Sequence, residues 1–243
     1  MSSNSASSRW FVGLLPLAVL LVAAGLLRPL ENRLVATELP AVQLRHLGGR
    51  GALGVLGGMR AAVAGGFWLQ ANCAWERRDA AETAALLNLT VAADERPLYF
   101  WLNGARMLAY DLPAWRSPAD LPEAVRRQVA AEGADAARAF LLAGLRVHPG
   151  STELMIELAN IELRARGDRE AAAIWFRRAA GQPGAPYFAA RIYAELLRDL
   201  GRPDEALAWL RQILPGLPTG DPAAARAVVE QRIKALEAGR GGK

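Results

Sequence analysis

Gly167-Asp168-Arg169-Glu170-Ala171-Ala172-Ala173-Ile174-Trp175-Phe176 returns as Gly201-Arg202-Pro203-Asp204-Glu205-Ala206-Leu207-Ala208-Trp209-Leu210, at an offset of 34 residues held throughout. The register extends outward: Ala179 meets Ile213 downstream, and Leu163 meets Leu197 upstream. A period of this length marks an array of helix pairs, in which each unit buries its apolar face only against its neighbours. The fold expected from this segment is all-α, and the expected role is a binding scaffold.

Composition agrees. Of 243 residues, 52% are apolar, chiefly Ala and Leu, and both are strong helix formers. The net charge is +5 and is carried by Arg, with Lys only at Lys234 and Lys243. The arginines alternate with Asp and Glu, so no basic stripe forms and nucleic acid is not an expected partner. One cysteine, Cys73, excludes an intramolecular disulfide framework.

The repeat can be traced backwards. A first unit opens on Trp68-x2-Ala71-Asn72-x2-Trp75; its second helix follows Asp79, uses Ala84, Leu87 and Val91, and ends near Pro97. A second unit opens on Trp101-x2-Gly104-Ala105-x2-Leu108. Its partner helix is displaced by residues 111–122, where Pro113, Pro118 and Pro122 read as an insertion, because three prolines do not fit a continuous helix. The helix resumes near Glu123, with Ala136, Phe140 and Ala143 supplying the pattern. The third unit uses Ile156, Asn160 and Leu163, then Ala172, Phe176 and Ala179. The fourth uses Ala190, Ala194 and Leu197, then Ala206, Leu210 and Ile213. The step from Ala136 to Ala172 is 36, so only the last two units keep the period cleanly. Asp221-Pro222 reads as an N-cap and first helical residue. The helix over residues 223–238, with Val228, Val229, Arg232 and Leu236 near one face, would cap the array, and residues 239–243 would fray.

The spacing and these residues resemble the tetratricopeptide repeat (TPR) family, whose first helix carries W-x2-L-G-x2-Y and whose second carries A-x3-F-x2-A before a Pro. The element order is similar to a group of membrane-anchored bacterial TPR proteins of poorly defined role. That likeness covers residues 38–215. It rests on Glu38-Leu39-Pro40, the Trp68 helix, Arg96-Pro97-Leu98-Tyr99-Phe100, and Phe176-x2-Ala179-Ala180-x2-Pro183-Gly184-Ala185-Pro186. These are packing and turn motifs, and they imply architecture without bringing a catalytic residue. The resemblance implies an α-solenoid of about four helix pairs over residues 65–218, with a capping helix and tail over 219–243.

The amino terminus reads as a single-pass anchor. Residues 1–9 are polar, residues 10–27 carry no charge, and Arg28-Pro29 closes the stretch. Eighteen such residues span about 27 Å as a helix, enough for a hydrocarbon core. A cleaved signal peptide ending at Val22-Ala23-Ala24 is the alternative. Arg9 before the stretch and Arg28 and Arg33 after it leave the positive-inside rule undecided. The expected location is a bacterial inner membrane, with an anchor at residues 10–28 and a periplasmic domain. Residues 29–64 then form a linker. It contains G-x-G-x-x-G at Gly49, Gly51 and Gly54, read as turns because a dinucleotide site needs further βαβ units that the helical remainder does not supply.

No enzyme and no cofactor is expected. The histidines, His46 and His148, have no Cys/His pair at ligand spacing. Cys73 reads as a small packed residue. Asn88-Leu89-Thr90 matches a glycosylation sequon inside a helix. A partner protein would instead lie on the faces of the first helices, at Gln70, Cys73, Arg77, Asn103, Arg106, Tyr110, Glu157, Arg164, Arg191, Glu195 and Arg198. Of these, Asn103, Arg106, Tyr110, Arg164, Arg191 and Arg198 are the candidate contacts, joined by Trp115 on the insertion, since aromatics are enriched at interfaces. Tyr99 and Trp101 read as core. Two roles remain open: a scaffold within an envelope complex, or a periplasmic assembly chaperone that holds client peptides.

Overall fold

The structure, a computed structural model, describes residues 49–241. The packing described below lies in the unit that begins at Ala64. Among the described residues every regular element is helical. The expected anchor at residues 10–28 and His46 lie outside them. Among the described residues no helix is long and apolar enough to cross a membrane.

Helix α1 runs Gly49–Glu76, so the glycine-rich stretch expected to turn is instead wound into a helix. No proline interrupts residues 49–66; glycine weakens a helix without blocking its hydrogen bonds. Asp79 caps α2 (Ala80–Ala93) by accepting from the Glu82 N–H at 2.9 Å. Helix α3 (Leu98–Arg106) passes without a break into a wider five-residue turn, Met107–Asp111, and then into α4 (Leu112–Arg116). This corrects the expectation of an insertion beginning at Asp111. Pro113 sits at the start of α4, where its missing N–H costs least, and the Leu112 N–H reaches Met107 O across the wide turn. The irregular segment is therefore residues 117–122, bounded by Ser117, whose hydroxyl donates to Pro113 O at 2.8 Å.

Helix α5 is Glu123–Val147, and α6 (Thr152–Ile161) ends in a second wide turn, Glu162–Arg166. Then follow α7 (Arg169–Ala180), α8 (Tyr187–Asp199) and α9 (Pro203–Ile213). The two sequence copies behave alike. Gly167 and Gly201 both adopt left-handed backbone, with φ of 71° and 75°, which favours glycine at those helix ends. Ala172 and Ala206, and Phe176 and Leu210, are all buried.

The chain end departs from expectation. Asp221 caps only a short turn, Pro222–Ala224; Ala225 is left-handed at φ 46°, and α10 begins at Arg226. Its buried stripe is Val229 and Ile233, with Leu236 packed alongside, while Val228 faces solvent.

The core comes in three patches strung along the chain. The first joins α1 to α5 with Leu154, Leu158 and Ile161 of α6. The second takes Met155 and Ala159 from the other side of α6 and packs them on α7, α8 and Ala206. The third joins Ala194 of α8 to α9, Leu217, Ala224 and α10. Helices α6, α8 and α9 thus each serve two patches, which ties the three patches together. Small residues permit the closest approaches. A Cβ on Gly144 would lie 2.9 Å from Trp101 Cδ2, and one on Gly104 2.9 Å from Phe140 Cε1. These glycines seat the Trp101–Phe140 pair, whose rings lie 4.8 Å apart. In α5 the buried register is Val129, Gly133, Ala134, Ala137, Phe140, Leu141 and Gly144; Ala136, expected inside, faces outward.

Candidate functional site

The two wide turns are the unusual local feature. Turns closed by i→i+5 bonds are rare, under about 1% of residues, and are enriched at functional sites because the extra residue re-aims the side chains beside it. Here one follows α3 and the other follows α6, and α3 packs on α6.

Four side chains converge there. Arg106, the last residue of α3, donates from Nη2 to Glu157 Oε2 at 2.7 Å, an ion pair between residues 51 apart in sequence. Glu157 lies on α6 and is only 5% exposed. Tyr110, half-buried on the first wide turn, feels Glu157, Arg164 and Arg106 electrostatically. Burial first, and the Glu157 charge second, push its phenol above the ordinary value near 10, and the two arginines offset part of that. Its hydroxyl therefore stays protonated and available as a donor at neutral pH. Arg164, on the second wide turn, is exposed. Among the described residues it makes no hydrogen bond or ion pair. The hydrogen bond to Glu157 holds Arg106 firmly protonated. The one buried carboxylate is thus taken by Arg106, and around Tyr110 this leaves the Arg164 charge and the phenolic O–H uncommitted.

The second turn is anchored from behind. Glu162, 3% exposed, accepts from Arg138 Nε of α5 at 2.9 Å and lies 3.2 Å from Arg166 Nε. Arg166 also pairs with Asp135. A buried carboxylate held by two arginines fixes this turn against α5, and so fixes where Arg164 starts.

Of the seven sequence candidates, Arg106, Tyr110 and Arg164 come together, and the others do not join them. Asn103 lies on the same helix, but its amide donates back to Tyr99 O at 2.8 Å. Trp115 is not on an exposed loop. It is half-buried on α4, its ring 6.0 Å from that of Trp75, against the first core patch. Trp75 in turn donates from Nε1 to Asp111 at 2.8 Å. Arg191 donates to Ala223 O and Ala224 O, both at 3.0 Å, so it clamps the turn before α10. Arg198 pairs with its neighbour Asp199 at 2.8 Å and borders a cavity of about 200 Å³ with Glu195 and Arg232, themselves an ion pair. Sequence reasoning placed Glu157 on the binding face; its burial under Arg106 is what organises the cluster.

The remaining polar candidates do not form a second site. Cys73 is exposed, contrary to the packed reading, because α1 turns Ala71 and Ala74 inward instead. His148 places Nε2 3.0 Å from Glu95 O, which also accepts from Trp101 Nε1 at 2.8 Å. Tyr99, expected in the core, is 57% exposed and meets Trp68 edge-on at 5.2 Å. Among the described residues no three His, Cys, Asp or Glu side chains gather as a metal site would need. The chain matches no family model, and no curated protein is significantly similar to it.

Proposed function

We propose that this chain is a membrane-anchored TPR-type scaffold without catalytic activity, holding protein partners of a bacterial envelope complex. In this reading residues 65–218 are an α-solenoid of about four helix pairs, α10 is its cap, and the anchor at residues 10–28 leaves the solenoid in the periplasm. The three core patches linked through α6 and α8, and the matching glycine ends at Gly167 and Gly201, support the repeat. The observation that carries the binding role is the Arg106–Glu157 pair between α3 and α6, with Tyr110 and Arg164 on the wide turns that follow those helices. Leu69 and Tyr99, 67% and 57% exposed, add apolar area for a lasting contact, which favours a scaffold over a transient chaperone.

The test is crosslinking in native membranes followed by purification in mild detergent. A stoichiometric envelope protein is the expected result; a clean monomer at all protein concentrations sinks the scaffold reading. Topology is read from Cys73, the sole cysteine and an exposed one. A thiol reagent that does not cross the inner membrane should label it in intact cells, and protection there would place the solenoid in the cytoplasm.

A further inference from the structure

We infer that Tyr110 and Arg164, backed by the Arg106–Glu157 pair, form a seat for an acidic side chain of a protein partner. This rests on the scaffold reading and names the chemistry that the partner must present.

The argument is one of charge and hydrogen-bond capacity. The only carboxylate of the cluster, Glu157, is buried and already accepts from Arg106. Arg164 keeps all its donors, and the Tyr110 hydroxyl has no partner among the described residues. Arg106 and Glu157 tie α3 to α6 at 2.7 Å, and the two uncommitted donors, one of them cationic, lie on the turns that follow these packed helices, a pairing suited to the two oxygens of a carboxylate. A cationic partner group would meet surplus positive charge, and a neutral amide would leave Arg164 uncompensated when the contact dries. Glu157 keeps Arg106 charged and directed, while its own burial keeps it from competing for Arg164. The Glu162–Arg138 and Glu162–Arg166 pairs hold the second wide turn in place, so less side-chain and backbone freedom is lost when a ligand arrives.

The experiment uses the full chain in mild detergent and two fluorescent peptides, one alternating Glu and Ser, the other Gln and Ser. Both carry an amidated carboxyl end, so only side chains can supply the carboxylate. Fluorescence anisotropy should show the Glu peptide binding at least about 10-fold tighter than the Gln peptide, the usual scale for a charged hydrogen bond. R164Q should abolish that preference, and Y110F should reduce it about 3-fold, as loss of one neutral donor does. R146Q, an exposed arginine at the end of α5, should keep it. Helical circular dichroism of each variant establishes that the fold is intact. Equal binding of the two peptides, binding of neither, or an unchanged preference in R164Q overturns the seat. So does a Glu peptide that binds only with a free carboxyl end, since the ligand is then the chain terminus. Crosslinking separates the two claims: a partner retained in full by R164Q removes the seat and leaves the scaffold, whereas no partner for the unaltered chain removes the scaffold.

Discussion

Gly133→Ala should destabilise the protein although alanine is the better helix former. Gly133 lies in the middle of α5, where α3, its wide turn and α4 cross it. A Cβ there would stand 2.1 Å from Pro113 Cγ and 2.8 Å from Leu108 O. An ordinary carbon contact lies at about 3.5–4.0 Å, so helices must part by more than an ångström or the proline ring must move. Neither obstacle is flexible: one is a ring, the other a backbone carbonyl on the wide turn. Overpacking of this kind costs about 3 kcal/mol at the upper end of its range, and helix propensity returns about 1 kcal/mol. The net loss is about 2 kcal/mol, or about 4–8 °C in Tm for a unit of this size. Gly66→Ala is the matched control. It sits in α1 with nothing within 4 Å of its would-be Cβ, so propensity acts alone and stability should rise by up to about 1 kcal/mol. Thermal and urea unfolding followed at 222 nm would read both signs, and P113A on the G133A background should recover part of the loss. A G133A protein as stable as the unaltered chain would refute the close crossing of α4 on α5.

Three further outcomes are expected. E157Q removes a buried carboxylate but leaves Arg106 able to reach solvent at 54% exposure, so the loss should be about 1–2 kcal/mol in urea unfolding, below a fully buried pair; a double cycle with R106Q should show coupling. Tyr110 should titrate above its ordinary value near 10, seen as the difference in absorbance near 295 nm between the protein and Y110F, and R164Q should raise it further because the Arg164 charge lowers it. Since the folded pKa lies above the unfolded one, its contribution is intact below pH about 10 and is lost as pH rises through the folded value; a midpoint lowered by R164Q would contradict the geometry. R191A should free the turn before α10, with faster hydrogen exchange over residues 221–233 and a loss of about 1–2 kcal/mol for two charged-donor bonds, while leaving peptide binding unchanged.

The helical class and the buried line of α7 and α9 were legible because they follow a local period, whereas Ile156, Asn160 and Leu163 are only half-buried and α6 turns Leu154, Met155, Leu158 and Ala159 inward instead. Ala172, Phe176, Ala206 and Leu210 repeat at helical spacing and are buried where the pattern puts them. The errors fell where a turn changed width or a rigid residue met a packed neighbour. Pro113 read as a helix breaker because the wide turn that accommodates it has no sequence marker. Ala136 read as core because α5 was set in phase with its neighbours, whereas Gly133 and Gly144 set its true contact line against Pro113 and Trp101. Trp115 read as a loop contact for the same reason as Pro113, and Tyr99 as core because burial of an aromatic cannot be judged before its face is known.

The candidate site divides along the same line. Its residue types and their rough face could be read from the sequence: Arg106, Tyr110, Glu157 and Arg164 were all expected on one set of helix faces, and they lie on α3, α6 and the turns that follow them. Helicity, the 34-residue register of the last two units and the glycine ends at Gly167 and Gly201 were likewise determined by neighbouring residues alone, since propensity, period and backbone freedom are local properties. Which of seven polar candidates meet was decided only by tertiary structure. Arg106 finds a carboxylate 51 residues away, Arg191 is consumed by a turn 32 residues on, and Arg164 makes no hydrogen bond or ion pair among the described residues. Those outcomes depend on how far α3 and α6 rotate through their wide turns and on which helix packs against which, and no spacing along one helix encodes either.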